Sequence, residues 1–252
     1  MRPPVDSIAA PPFPRGVPWV NSPPLRMDEQ VGRPVLVEFW DFCRVNSLRT
    51  LPYLREWHRR YADAGLRVIG IHASGFPPSA AESAVREAVA RLGVPYPVVV
   101  DVELEIWRRY GNRGWPARYL WNRAGRLHDY HYGEGAYVET ERAIQDLVGR
   151  ERRPVPPQRP EDDPEAVLAA QTVDQPGAYS GPYAAGGAWA VLDGRGRVVV
   201  NGTSLEVHHP GCYPLAEHAR HTEAALDLRV GEGVTCHAVC FTPGMVDQAE
   251  VA

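Results

Sequence analysis

The sequence predicts an α/β domain with one mixed sheet and flanking helices, followed by an all-β, sandwich-like or jelly-roll-like domain. Two observations indicate this division. Between residues 27 and 149, apolar runs typical of buried strands alternate with segments of helical spacing. From residue 166 the helical spacing ends, and short strand-like runs follow one another between Gly, Asn and Pro turns. The 252 residues are enough for two such domains.

The elements of the first domain follow in the order strand, helix, strand, helix, strand, helix, strand, strand, helix. Residues 35–40 form a nearly continuous apolar run, as expected for a strand buried on both faces. Ser79 is a candidate N-cap for the second helix. The other predicted strands are 67–72, 96–100, 117–121 and 126–132, and the predicted helices start at 46, 80, 103 and 138. This order implies a mixed sheet with helices on both faces.

Proline-rich segments flank the first domain. Residues 1–26 have little periodicity, and we expect an arm that lies over the surface of the first domain. Residues 150–165 are charged and proline-rich, which predicts a linker. Residues 166–252 then form the second domain. Its predicted strands are 186–192, 198–200, 204–207, 225–230 and 234–241.

The composition of the chain excludes several kinds of chemistry and argues against some partners and locations. The chain contains no lysine, so all 27 basic residues are arginine, and Schiff-base, pyridoxal-phosphate and P-loop chemistry are excluded. A net charge of -4, with no basic block interleaved with aromatics, argues against a nucleic-acid partner. No apolar run suits a signal peptide or a membrane span, so we expect a soluble cytoplasmic protein without a membrane partner. The four cysteines are then expected to be thiols.

Several short motifs of residues 27–149 are shared with a known family. They are Glu38-Phe39-Trp40, Leu51-Pro52, Tyr110-Gly111-Asn112, Trp115-Pro116-Ala117 and Gly133-Glu134-Gly135. With these motifs the segment resembles the thioredoxin fold, in particular the redoxin and TlpA-like branch of thiol-disulfide oxidoreductases. The resemblance implies a Cys-x-x-Cys pair at the start of the first helix, facing a cis-proline loop that holds Pro116 here.

The two cysteine positions of the family fall on Arg44 and Ser47, so the motif reads Arg-Val-Asn-Ser. Dithiol exchange needs one thiol to attack and a second to resolve the mixed disulfide. Ordinary thioredoxin activity is therefore not expected.

Four residues are candidates for chemistry: Cys43, Glu38, Arg44 and Ser47. A helix start and Arg44 would favour the Cys43 thiolate, although Cys43 is equally read as a small core residue. The resemblance places Glu38 where the family has a buried proton shuttle. The alternative is a buried ion pair of Glu38 with Arg44 or another arginine. Arg44 itself is expected to bind an anion unless it pairs with Glu38 or with Asp41, which we expect to be exposed.

The remaining candidates would line a ligand cleft or hold a metal. Trp40, Asn46, Trp115 and Pro116 are the cleft candidates, although aromatics in apolar runs are usually core. No metal and no cofactor are expected. Three histidines are only weak candidates for a metal site, because they lack the His-x-His spacing of a jelly-roll site. They are His208, His218 and His221.

Three functions remain open from the sequence. The first is a cleft repurposed to bind a small molecule, for example an anionic one, or a peptide, with or without non-redox chemistry. The second is a monothiol oxidoreductase or antioxidant protein that uses Cys43. The third is a non-catalytic structural or interaction module. The oligomeric state stays open, with a homodimer as one alternative.

Overall fold

A computed structural model describes residues 7–247. The chain divides into two compact units. The first unit comprises Met1–Asp41, Asn46–Gly75 and Ala80–Pro156, and the second comprises Phe42–Val45, Phe76–Ser79 and Pro157–Ala252. Among residues 7–247, none of the helices has the length and apolar character needed to cross a bilayer.

The first unit is built on a six-stranded sheet with the strand order β1-β4-β3-β2-β5-β6. Its strands are β1 (Trp19–Val20), β2 (Val35–Trp40), β3 (Arg67–His72), β4 (Val98–Val100), β5 (Ala117–Trp121) and β6 (Leu127–Tyr132). Its helices are α1 (Val45–Tyr61), α2 (Glu82–Arg91), α3 (Glu105–Arg109) and α4 (Tyr137–Val148). Strands β2, β3 and β4 run parallel, and the other pairings are antiparallel. This is the mixed sheet that the element order predicts.

Strand β2 lies in the middle of the sheet, and all six of its residues are buried. Successive side chains of a strand point to opposite faces. Val35, Val37 and Phe39 belong to one apolar core together with Ile106 of α3. Glu38 therefore points to the opposite face of the sheet, which decides its surroundings.

The start of the second helix and the expected arm differ from the sequence-based predictions. The N-cap position of α2 is Ala81, which makes no side-chain cap bond, and the hydroxyl of Ser79 donates to the Phe76 carbonyl within a 3-10 turn. The prediction of Ser79 as the N-cap is wrong, because its side chain makes this local hydrogen bond before the helix begins. In the arm, the buried pair Trp19–Val20 forms β1 and joins the sheet beside β4.

The second unit consists of antiparallel strands. They are β7 (Leu168–Ala169), β8 (Gln175–Pro176), β9 (Gly181–Gly194), β10 (Gly196–Val200), β11 (Thr203–Val207), β12 (Gly211–Leu226), β13 (Leu228–Val230), β14 (Val234–Thr242) and β15 (Gly244–Met245). They form sheets in the orders β12-β9-β14-β8, β11-β10-β13 and β15-β7. One apolar core takes residues from the two larger sheets, including Leu192, Val198 and Phe241. The all-β character predicted from residue 166 is thus observed.

Strand β12 is the main error of the sequence-based strand assignment. The prediction joined residues 225–230 into one strand, whereas β12 ends at Leu226 and β13 begins at Leu228. The earlier part of β12 was missed because its pairing with β9 shifts register between Glu217 and Thr222. Such a bulge breaks the alternation of apolar and polar residues by which strands are recognised.

A buried carboxylate joins three parts of the first unit. Glu141 of α4 is 1% exposed, and its Oε2 accepts hydrogen bonds from Trp57 Nε1 at 3.1 Å and from the Val155 amide at 2.6 Å. Its Oε1 accepts from the Tyr61 hydroxyl at 2.7 Å and from Arg60 Nη1 at 3.1 Å. Glu141 therefore holds α1 and the chain that follows α4 to one point.

We expect Glu141→Gln to lower the free energy of unfolding by roughly 3–5 kcal/mol, because it removes the anion of a buried ion pair and reduces the number of hydrogen-bond acceptors. Urea denaturation followed by tryptophan fluorescence measures this loss. Glu139→Gln, at an exposed position on the same helix, is the matched control and should change the free energy by less than about 0.5 kcal/mol. Equal effects of the two substitutions would contradict the role given to Glu141.

Candidate functional site

The turn between β2 and α1 is held by the Asp41 carboxylate. Asp41 is fully buried, and its Oδ2 accepts a hydrogen bond from the Gly75 amide at 2.7 Å. Its Oδ1 lies 3.6 Å from Nε2 of the buried His72. The Asp41 amide donates to the Ser47 hydroxyl at 3.2 Å, and Ser47 is also fully buried. The expectation of an exposed Asp41 is therefore wrong, because its carboxylate binds a neighbouring loop.

Two adjacent candidates differ sharply in exposure. The Cys43 side chain is 0% exposed, whereas Arg44 is half-buried, with its guanidinium 4.9 Å from the centre of the Phe76 ring. A guanidinium over an aromatic face is a favourable cation–π contact. Within residues 7–247 no cysteine forms a disulfide bond. A buried thiol is usually inert, so the geometry favours the core interpretation of Cys43.

Two of the other cysteines are poor nucleophiles by their surroundings. Burial raises the pKa of the Cys236 thiol to about 11 and that of the Cys240 thiol to about 12. Both groups therefore hold their protons at neutral pH.

Glu38 lies opposite Arg118 in the antiparallel pair of β2 and β5. Both side chains are at least 98% buried. Burial raises the pKa of Glu38 to about 8, and the positive charge of Arg118 acts in the opposite direction. Among residues 7–247, neither carboxylate oxygen of Glu38 has a hydrogen-bond partner.

Arg118 is held by aromatic faces and by a backbone carbonyl. Its guanidinium lies 5.7 Å from the ring centre of Trp57 and 5.2 Å from that of Tyr137. It also donates a hydrogen bond to the Gly135 carbonyl. Burial lowers the pKa of Arg118, and the charge of Glu38 raises it. Arg118 is therefore the arginine beside Glu38, but within residues 7–247 no ion pair or hydrogen bond joins the two side chains, so the ion pair and the proton shuttle both stay predictions.

The cleft candidates separate into core and surface residues. Trp40 is fully buried and packs edge-on against His72, as a core residue does. Trp115 is half-buried, and its Nε1 donates to the Ala73 carbonyl at 2.7 Å. Asn46 is also half-buried, whereas Pro116 is buried and follows Trp115 through a cis peptide bond. A ligand-binding role for these residues stays a prediction.

The weak metal candidates do not come together. His218 Nε2 lies 2.8 Å from the Tyr183 hydroxyl, and His208 is exposed. Within residues 7–247, no group of three or more His, Cys, Asp or Glu side chains is placed to hold a metal ion. In this part of the chain, the three candidate histidines, His208, His218 and His221, therefore do not form a common set of metal ligands.

Sequence reasoning missed Arg118 and the Asp41–His72 contact. An arginine inside the apolar run 117–121 was the signal for the first. A charged residue in such a run needs a buried counter-charge. The second had a signal in the order of the strands, because Asp41 follows β2 and His72 ends the neighbouring parallel strand β3.

The first domain matches solved structures in its fold. The crystal structure of a thiol:disulfide interchange protein DsbE, described as putative, from Chlorobium tepidum superposes on 56% of this chain and on 96% of its own chain. The TM-score is 0.50 at 20% sequence identity. The first domain is thioredoxin-like.

Curated relatives of the thioredoxin-like domain include larger proteins and oxidoreductases. Protein DipZ of Mycobacterium tuberculosis is 31% identical over 179 residues, which is 68% of this chain and 26% of DipZ. Thiol-disulfide oxidoreductase ResA of Halalkalibacterium halodurans is 27% identical over 109 residues, which is 43% of this chain and 59% of ResA. No protein-family model matches the sequence.

The match to DipZ extends beyond the thioredoxin-like domain. Residues 1–156 make up less than the 68% of the chain that the match covers, so part of the second unit is matched as well. The chain itself spans about a quarter of DipZ. The similarity to ResA and DsbE agrees with the redoxin and TlpA-like resemblance of the sequence, although the chain has Arg-Val-Asn-Ser in place of Cys-x-x-Cys.

The pKa of Glu38 gives the thioredoxin-like domain a specific dependence on pH. The folded state holds the Glu38 proton more tightly than the unfolded state, so this group stabilises the fold fully below pH 4.5. That contribution should decrease as the pH rises to about 8, by up to about 1.4 kcal/mol per pH unit.

Urea denaturation at several pH values between 4.5 and 8 measures this dependence. Glu38→Gln should flatten it relative to the unmodified protein, whereas Glu139→Gln, at an exposed position, should keep it. An unchanged slope in Glu38→Gln would show that Glu38 ionises in the folded domain as it does in the unfolded chain.

Proposed function

We propose that the thioredoxin-like domain does not exchange disulfides and instead binds a small molecule or a peptide at the start of α1. One observation carries the proposed loss of disulfide exchange. Arg44 and Ser47 occupy the positions of the two thiols in the family that the sequence resembles, and the adjacent Cys43 is 0% exposed. A thiolate must reach the disulfide that it attacks, and a second thiol must release the mixed disulfide. Neither requirement is met in this segment.

The surroundings of Glu38 support the same proposal. A carboxylate that moves protons for a thiol needs an acceptor or donor within hydrogen-bond reach. Glu38 instead faces Arg118 across two strands, with both side chains buried. We assign Glu38 to the stability of the sheet. With Cys43 buried, no observation favours the monothiol alternative.

The charge at the start of α1 supports an anionic ligand. The amino end of a helix carries partial positive charge and N–H groups that have no partner within the helix. The first turn of α1 contains no acidic residue, and Arg44 adds its own positive charge directly before the helix. Arg44 is half-buried with its guanidinium over the Phe76 ring, and a guanidinium binds a carboxylate or phosphate through two parallel hydrogen bonds. We therefore propose a carboxylate- or phosphate-bearing small molecule or peptide as the ligand.

The cysteines favour a location in a reducing compartment. Four cysteines without a disulfide in the described chain are typical of proteins from such compartments. We propose the cytoplasm as the location.

Reduction of insulin by a dithiol reductant tests the loss of exchange. The unmodified chain should not raise the rate above that of the reductant alone. The double substitution Arg44→Cys with Ser47→Cys should raise it at least about tenfold, because it restores an attacking and a resolving thiol at the start of a helix. Arg44→Cys alone is the matched control and should stay near the background rate. Insulin reduction by the unmodified chain at the rate of the double variant would contradict the proposal.

Thermal unfolding with inorganic phosphate as the probe tests the anion site. A ligand that binds only the folded state raises the melting temperature. Phosphate at low millimolar concentration, compared with chloride at equal ionic strength, should stabilise the unmodified chain and should stabilise Arg44→Gln much less. Arg55→Gln, an exposed arginine of the same helix, controls for general salt effects. Equal stabilisation of both variants by phosphate would exclude Arg44 as the anion-binding group.

A further inference from the structure

The outer edge of the six-stranded sheet contains an aromatic groove that the proposed function does not use. Strand β6 is the last strand on this side. The groove has a volume of about 470 Å³, within the range of ligand-binding clefts. Residues of β5, β6 and the proline-rich arm supply most of its lining, namely Ile8, Pro11, Tyr119, Trp121, Tyr130 and Tyr132.

Two rings of this aromatic groove are exposed, and one of them is fixed in orientation by a hydrogen bond. Tyr130 is 40% and Tyr132 is 42% exposed, and their ring centres are 5.8 Å apart with planes at 70°. The Tyr119 hydroxyl donates to Asn112 Oδ1 at 2.9 Å. The Tyr132 hydroxyl, 2.9 Å from that of Tyr119, must then be the donor of that bond. This chain of hydrogen bonds fixes the orientation of the Tyr132 ring in the groove without a ligand.

One wall of the aromatic groove is a proline-rich segment of the chain itself. The arm is fixed by bonds to its carbonyl groups: Arg109 Nη1 donates to the Pro12 carbonyl at 3.1 Å, and Arg126 Nη1 donates to the Ser7 carbonyl at 3.2 Å. The Leu127 amide donates to the Ile8 carbonyl at 2.9 Å. The surface thus already binds an irregular, proline-containing segment by arginine-to-carbonyl bonds next to aromatic rings.

We propose that the aromatic groove binds a second proline-rich segment, supplied by a partner protein in the polyproline II conformation. Such segments bind aromatic-lined grooves because their rings pack on aromatic faces and their shape is set before binding. Their backbone carbonyls point outward and need donors. Arg113 is exposed at this groove and provides a guanidinium for that purpose, as Arg109 does for the arm.

Fluorescence anisotropy with a labelled decaproline peptide and the full chain tests the proposal. Binding should be saturable and should weaken at least about tenfold in Tyr130→Ala and in Tyr132→Ala. Tyr132→Phe should bind within about threefold of the unmodified chain, because it keeps the ring. His128→Ala, at an exposed position on β6 outside the lining, is the matched control and should bind without change. Circular dichroism confirms that each variant is folded.

Three results would overturn the proposal. The first is equal binding of a glycine–serine peptide of the same length. The second is decaproline binding that Tyr130→Ala, Tyr132→Ala and Arg113→Ala all leave unchanged. The third is self-association of the chain that Tyr132→Ala abolishes while decaproline fails to bind, since the groove would then hold a second copy. The readouts do not involve Arg44, so this proposal and the anion site fail separately.

Discussion

Two ionisable side chains are buried opposite each other on neighbouring strands of the sheet, and the thioredoxin-like domain packs around them. Glu38 lies on the central strand and Arg118 on its antiparallel neighbour, and each side chain is at least 98% buried. Burial raises the pKa of Glu38 to about 8, so its carboxyl group is mostly protonated at neutral pH, and the Arg118 guanidinium is stabilised by the Gly135 carbonyl and by aromatic rings. The rings of Trp57 and Tyr137 then pack over the guanidinium, so the positions of α1 and α4 depend on it.

The proposed function gives the segment before α1 a role in binding and not in disulfide exchange. The segment before α1 keeps its buried anchors, since Asp41 binds the Gly75 amide and Ser47 accepts from the Asp41 amide. The family resemblance places the two reactive thiols at Arg44 and Ser47, and Arg44 brings a positive charge to this segment. In the proposed function, a scaffold that positions a nucleophile in the family instead presents a positively charged helix start to a ligand.

The fold of the first domain could be predicted further than its site. Strands 35–40, 67–72 and 117–121 were predicted with the observed bounds because continuous apolar runs mark strands buried on both faces. Strand β12 was not found, since a bulge and half-exposed polar residues remove its alternation. The partner of Glu38 could not be named either, because strand register decides it, and register is a property of the pairing and not of either strand alone.

The proline-rich arm has a consequence for solubility. Trp19–Val20 pairs with β4 on one side of the sheet, and Ala9 bridges to Arg126 beside β6 on the other. A single segment therefore covers backbone donors and acceptors at both edges of the same sheet. Uncovered edges invite pairing with strands of other molecules, and proline is a poor template for such pairing. Without the arm, both ends of the sheet would become sites of intermolecular strand addition, and the chain would be prone to aggregate even where its core stayed intact.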